Sequence, residues 1–402
     1  MIRFAVAFLC LLFATACVAE DLTVSFLVSN GKHRANIRQL TARFEAEHPG
    51  VKVRLIEQVN EAYHQWMKHF EQSDVDVVWW FAGYQLNELA RQGRIEAITP
   101  LWKKLRLERA FSSAQAAVSL EGEVYGLPLS YYHWGIYYKK SLFARLKLAE
   151  PANWDEFLGV CEKLKRQGIT PLGLGTRESW TAAAWFSYLN LRLNGLPFHQ
   201  QLLAGDQSYL DPRVTEVLRK WKQLIDNGYF LSNSEAYDWK GVLPFLYRET
   251  VGMYLIGGFM PKNVHVDPEQ FDFFRFPVIN PAMPIYEEAP MDVLFISRRA
   301  RHKAAAARFI EFMARPENQA AYNLSQGLIA PNRDAQSKLD RFERKSVALL
   351  AAAKGTSQYF DRDSSQQTAA DAMRILAAFA RDPDVGQTQQ RLARLRPPPP
   401  AK

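Results

Sequence analysis

Between Tyr131 and Tyr138 the chain carries five aromatics and a histidine in eight residues, Tyr131-Tyr132-His133-Trp134-Gly135-Ile136-Tyr137-Tyr138. Tyr and Trp each join a flat apolar face to one polar handle. That combination suits a wall for a hydroxylated ligand, whose C–H faces need plates and whose rim needs short polar groups. Side chains of an extended segment alternate in direction, so about half of this run faces core. Tyr132 and Trp134 are the candidate contacts, and His133 reads more simply as a satisfied core histidine. Asn30, Lys32 and His33 follow the first strand, at the edge where open α/β sheets bind ligands. An ordinary strand-to-helix turn is the alternative there. Trp80 closes the apolar run Val75–Trp80 and is a candidate plate. Asp292 precedes a later strand and could accept hydroxyl protons, or could lie in a surface turn.

Nothing in the chain patterns like a catalytic centre. No acidic pair is placed to flank a bond. There is no Gly-x-Ser-x-Gly, His-Glu-x-x-His or phosphate loop, and the eight His are scattered singly. The expectation is a binding protein, not an enzyme, with no cofactor and no metal. An exported carbohydrate-active enzyme is the weaker alternative. A cationic ligand would need several cleft carboxylates, and only Glu178 and Asp292 are in view.

The elements that must hold these residues are legible from periodicity. Leu22–Leu27 alternates as a strand. Ile37, Leu40 and Phe44 mark a helix stopped by Pro49-Gly50. Val51–Glu57 is a strand, Tyr63–Phe70 a helix, and Val75–Trp80 a strand buried on both faces. Leu86–Arg91 is a helix ending at Gly93. This order implies an α/β sheet with mostly parallel strands. Asn153 should cap a helix, with Glu156 as its capping-box partner. Ile169–Gly175 and Val251–Ile256 read as strands, as do Phe271–Pro277 and Val293–Ile296. Helices are expected over Trp180–Asn194, Asp211–Asn227 and Ala304–Ala314. Leu350–Arg381 is mostly helical, with a break at Gly355–Asp363.

The 402 residues, 48% hydrophobic and 23% charged, describe a globular chain of one large or two smaller domains. Met1–Ala19 reads as a secretory leader, with Arg3 before an apolar run too short to span a bilayer. The expected address is the periplasm. A lipid anchor at Cys17 is the alternative. If the cut follows Ala19, only Cys161 remains in the mature chain, which leaves no internal disulfide. Net charge is +8, and residues 298–402 alone hold 19 Lys+Arg against 10 Asp+Glu. Those basic residues are dispersed, so a solvated face is implied and nucleic acid is not. Four prolines at 397–400 make a stiff tail.

Several local signatures occur in one order. They are Phe44-Glu45-Ala46-Glu47-His48-Pro49-Gly50-Val51, Asp76-Val77-Val78-Trp79-Trp80, Tyr125-Gly126-Leu127-Pro128, Tyr138-Lys139-Lys140-Ser141-Leu142-Phe143, Asn153-Trp154-Asp155-Glu156-Phe157 and Ala306-Ala307-Arg308-Phe309-Ile310-Glu311-Phe312. Together they resemble the maltodextrin-binding-protein-like group of family 1 extracellular solute-binding proteins, over nearly the whole mature chain. The resemblance implies an α/β, two-lobed periplasmic-binding-protein fold, each lobe built on a sheet, with hinge strands and a ligand cleft between. The lobes would be residues 22–129 plus 290–327 and residues 130–278 plus 330–396. It implies a monomer that captures a mono- or oligosaccharide and delivers it to membrane ABC permease subunits. A sensory role at a membrane receptor or kinase is the other reading. Sugar-binding members place a Trp at the position of Trp80. The charged residues that follow it there are Gly83 and Tyr84 here, and Tyr84 joins the candidates. Glu178-Ser179-Trp180 matches an element whose carboxylate and aromatic both touch sugar. Gly257-Gly258-Phe259 matches an element that supplies a stacking ring, and Tyr359 falls where the family places a further aromatic.

Overall fold

The computed structural model describes residues 20–264 and 266–395. The expected leader and the proline tail lie outside them. Among the described residues thirteen strands form two principal sheets and two small pairs. In chain order they are β1 Glu20–Leu27, β2 Val51–Gln58, β3 Val77–Phe81, β4 Ser119–Leu120, β5 Glu123–Val124, β6 Leu127–Tyr131 and β7 Trp134–Lys139, then β8 Thr170–Gly173, β9 Val251–Gly257, β10 Phe271–Phe274, β11 Tyr286–Glu288, β12 Met291–Ile296 and β13 Gly355–Ser357.

The first sheet runs β2-β1-β3-β12-β6. β1 lies parallel to β2 and β3, with Leu22 opposite Val53 and Val24 opposite Val77. β12 is antiparallel to both β3 and β6, so only half of this sheet has the parallel pairing expected from the repeating strand–helix order. The difference arises because β6 follows the short β4–β5 pair and β12 returns from the second lobe, neither through a helical crossover. β3, Val-Val-Trp-Trp-Phe, is buried along its whole length, as a strand covered on both faces should be. The helix Gly31–Glu47 packs Ile37, Leu40 and Phe44 on the sheet.

The second sheet runs β10-β7-β9-β8, with β7 antiparallel to both neighbours and β8 parallel to β9. Asn153 caps the helix Trp154–Arg166 by accepting from the N–H of Glu156 (3.0 Å), while Glu156 accepts from the N–H of Ala152 (2.8 Å). The long helix Trp180–Ala204 is broken at Gly195, two residues before Pro197, close to its expected end at Asn194. Gly195 has φ +80°, and a Cβ there would meet Met283 Sδ at 2.8 Å, so glycine is required on two counts. The expected break after Leu350 contains a strand. β13 pairs in parallel with β11.

Two hydrophobic cores follow from this arrangement. One joins residues of 22–129 and 291–322, and the other joins residues of 134–276 and 342–392. The chain therefore passes between them three times. Only Tyr132 and His133 separate β6 of the first sheet from β7 of the second. The crossings are tied side by side. Tyr131 and Ile329 exchange N–H···O bonds of 3.0 and 2.8 Å, Tyr132 N–H reaches Pro290 O at 3.3 Å, and Ala289 N–H reaches Ser357 O at 2.9 Å. Among the described residues no helix is long and apolar enough to cross a membrane.

Cys161 is fully buried in the second core, and burial pushes its thiol far up. A thiol held protonated and covered reacts slowly. A disulfide-exchange reagent such as DTNB should leave Cys161 unmodified in the native protein and modify it on unfolding. Modification at native conditions, at the rate of a free thiol, would contradict this packing.

Candidate ligand-binding site

The crossover from β6 to β7 does not sort its side chains by simple alternation, because the chain leaves one sheet and enters the other there. Tyr131 and Tyr132 are half-buried, and His133 and Trp134 are buried. His133 is fully engaged in the core. Its Nδ1 pairs with Ser346 Oγ at 2.6 Å, its Nε2 with Tyr137 OH at 3.2 Å, and its ring stacks on Phe273 at 4.2 Å. Burial, then Lys345, lowers its pKa to about 3. A neutral His133 thus pins the crossover to the helix Arg341–Ala351.

Around this crossover the second lobe assembles an aromatic wall. Phe259 is its centre, with ring centroids 5.3 Å from Tyr132, 5.1 Å from Trp239, 6.4 Å from Trp180 and 6.5 Å from Trp134, all edge to face. Trp134 lies behind, stacked on Tyr359 at 4.8 Å and 8°. Tyr359 donates its hydroxyl to Trp180 O. Trp180 Nε1 donates to the exposed Glu178 Oε2 at 3.1 Å. Tyr132, Trp180, Trp239 and Phe259 are half-buried, whereas Trp134 and Tyr359 are buried as backing. Four half-covered rings on one buried layer make a surface that stacks on an apolar face and offers polar tips at its margin.

The strap Gln358–Asp363 follows Tyr359 across the junction to the first lobe. Gln85 N–H donates to Arg362 O at 3.3 Å, and Gln85 Nε2 donates to Asp361 O. Gly83, with φ +79°, lets the strap approach. A Cβ there would meet Gln358 Cγ at 2.7 Å and Asp363 Oδ1 at 2.9 Å. Arg362 is buried over the Phe81 ring at 4.1 Å, with Nη1 donating to Met291 O at 2.8 Å and ion-paired to Asp292 Oδ1 at 2.9 Å. Its Nη2 donates to Tyr132 OH at 3.3 Å. Asp292 Oδ2 accepts from Ser130 at 2.6 Å. Burial pushes the Asp292 carboxyl up, against the pull of Arg362. Burial likewise raises Asp363 to about 7, although main-chain N–H groups of Gln358 and Tyr84 oppose it.

The first-lobe candidates lie apart from this wall. Asn30 caps the helix Gly31–Glu47, accepting from His33 N–H at 2.9 Å. Lys32 is exposed. His33 is buried edge-on to Tyr322, and burial lowers its pKa to about 4. Trp80 is 3% exposed, its ring against Tyr63, His64 and Phe81. Trp79 is buried too, so alternation does not free either ring. Tyr84 is half-buried beside the strap. Contacts join Tyr132, Trp134, Glu178, Trp180, Phe259, Asp292 and Tyr359, and Trp80 reaches the strap only through Phe81, whose ring lies under Arg362; Tyr84 lies beside the strap, and Asn30, Lys32 and His33 sit at the start of the helix Gly31–Glu47. Sequence reasoning missed Phe81, Trp239, Asp361 and Arg362. The charged triplet Asp361-Arg362-Asp363, directly after an aromatic pair in a helical break, was the available signal.

Comparison with known proteins agrees with this architecture. The family described as bacterial extracellular solute-binding protein matches residues 30–320. An uncharacterized ABC transporter extracellular-binding protein of Pyrococcus horikoshii is 24% identical over 260 residues, 63% of this chain and 57% of that relative. The multiple sugar-binding protein of Streptococcus mutans is 27% identical over 201 residues, 48% of this chain and 47% of its own. The chain thus spans about half the length of these curated relatives. Among solved structures, the bacterial solute receptor AcbH superposes with a TM-score of 0.84 at 26% identity, over 93% of this chain and 98% of that one. AcbH is described as having an exclusive substrate preference for β-D-galactopyranose.

Proposed function

Because this chain belongs to the bacterial extracellular solute-binding proteins, we propose that it captures a carbohydrate between its two lobes and delivers it to a membrane ABC permease. The lobes of this reading are residues 22–129 plus 290–327 and residues 130–278 plus 330–396, closing about the three crossings. The protein acts as an exported, periplasmic monomer and does no chemistry on its ligand. The observation that carries the reading is the wall of Tyr132, Trp180, Trp239 and Phe259, four half-buried rings backed by buried Trp134 and Tyr359. A sugar's C–H face covers such rings, and its hydroxyls meet the polar groups at their edge. The multiple sugar-binding protein and the galactopyranose receptor support the ligand class by likeness.

A thermal-shift screen tests it. A ligand that binds only the folded state stabilises by about 2.7 kcal/mol at a hundredfold excess over its Kd. At least one mono- or oligosaccharide of a broad panel should raise the unfolding midpoint with this concentration dependence. A panel that leaves the midpoint unmoved, while spermidine or another polyamine raises it, would sink the carbohydrate reading.

A further inference from the structure

Four carboxylates gather at this junction, Asp361 and Asp363 on the strap, Glu288 on β11 and Asp292 on β12, and they are not equivalent. Asp292 is ion-paired to Arg362 and accepts from Ser130. Asp363 accepts from Gln358 N–H at 3.0 Å and from the main chain of Tyr84. Glu288 is wholly covered, and burial pushes its carboxyl far up. Asp292 Oδ1, its ion pair apart, and both Glu288 oxygens also lack a hydrogen-bond partner among the described residues, but those two residues are buried, whereas half-buried Asp363 is satisfied. Asp361 combines the two properties. Its side chain is half-buried, and its Oδ1 is covered yet finds no hydrogen-bond partner among the described residues. Its electrostatic neighbours come from both lobes: His64 and Asp292 on one side, Tyr132, Tyr359 and Arg362 on the other. Its main chain is anchored by Gln85. Arg362 directs Nη1 to Met291 and Asp292 and Nη2 to Tyr132.

We propose that Asp361 is the specificity-determining acceptor of this site, taking the hydroxyl protons of a neutral sugar ring whose C–H face lies on Phe259 and Trp180. The inference rests on the carbohydrate reading and names the group that reads the sugar. A buried acceptor without a donor carries a desolvation cost, and burial already pushes the Asp361 carboxyl up against the pull of Arg362. A ligand hydroxyl removes that cost, and a carboxylate can take two adjacent hydroxyls at once. Arg362 fixes the strap in place, and its pairing with Asp292 leaves Asp361 as the acceptor open to a ligand.

The test is a thermodynamic cycle between side chain and ligand. Titration calorimetry is run on the wild type and on Asp361→Asn with the best sugar of the panel and with its monodeoxy derivatives. Asp361→Asn should weaken the parent sugar about 10- to 100-fold, the range of a hydrogen bond to a charged group. One deoxy position, or two adjacent ones, should lose about tenfold or more on the wild type and almost nothing further on the variant. The other positions should lose equally on both. A wild type that binds sugar, with a variant within about threefold of it or with an unchanged deoxy profile, would overturn the role of Asp361 and leave the carbohydrate reading standing. A wild type that binds no sugar overturns that reading, and this inference with it. If Asp361→Asn does not fold, Asp361→Glu replaces it. That variant keeps the charge but displaces the acceptor, and the deoxy profile must then change. An unchanged profile overturns the proposal.

Discussion

Arg192→Ala should lower the unfolding free energy by about 3–5 kcal/mol, the usual result of removing one partner of a buried ion pair. Arg192 is 2% exposed on the helix Trp180–Ala204, and Glu287 on β11 is fully buried. Their Nη2···Oε1 distance is 2.7 Å. Arg192 Nε also donates to Phe276 O at 3.1 Å, and its Nη1 donates to Tyr286 O. The guanidinium lies over the rings of Tyr188 and Phe276. One side chain therefore ties the second lobe to the crossing segment 276–287. Alanine leaves a buried carboxylate and two carbonyls short of donors, with Arg275 at 3.9 Å the nearest replacement cation. Burial already pushes the Glu287 carboxyl up, against Arg192 and then Arg275. Without Arg192 it rises further and takes a proton. A folded-state pKa above the unfolded one gives stability that is full at low pH and lost as pH rises. The deficit of Arg192→Ala should therefore be smaller near pH 5 than near pH 8. Denaturant titrations at both pH values read this directly. A loss below about 1 kcal/mol at pH 8 would show that the crossing does not depend on the pair.

Local rules read the secondary structure well where one element decides its own form. The cap at Asn153, the stop at Pro49-Gly50 and the kink at Gly195-Pro197 each depend on residues within one or two turns. Pairings between distant segments were not readable in that way. β11 and β13 are three residues each, too short to show a period, and they exist because two crossings lie side by side. The site divides along the same line. Tyr132 and Trp134 stand out by residue type, although alternation did not predict that Tyr132 is half-buried and Trp134 buried, and Trp180 and Phe259 stand out by resemblance to a family element. Alternation did not sort Trp79 from Trp80, because a central strand covered on both faces buries every position. Asn30 and His33 sit at a strand end, but Asn30 Oδ1 is taken by the His33 N–H at the start of the next helix, and His33 is buried with its Nδ1 against Ser29. Arg362 meets Tyr132 across 230 residues of chain, and no spacing in the sequence announces it.

Trp180→Ala should weaken sugar binding by about 2 kcal/mol, roughly thirtyfold, as truncation of an aromatic anchor does. Its stability cost should stay below the roughly 3–5 kcal/mol of a fully buried Trp. The geometry sets both expectations. Trp180 is half-buried, with its neighbours Trp134, Phe259 and Tyr359 all 5.9–6.4 Å away and edge to face. Its ring partners do not include Trp185 or Tyr188, which pack on Phe276 instead. Trp180 therefore belongs to the wall and not to the core beneath its own helix. Trp134→Ala is the control, since Trp134 is 1% exposed and stacked on Tyr359. It should lose stability in the full core range. The unfolding midpoint and the Kd, measured on both variants, separate the two roles. A Trp180→Ala protein that loses as much stability as Trp134→Ala, while its folded fraction binds sugar as the wild type does, would remove Trp180 from the ligand surface.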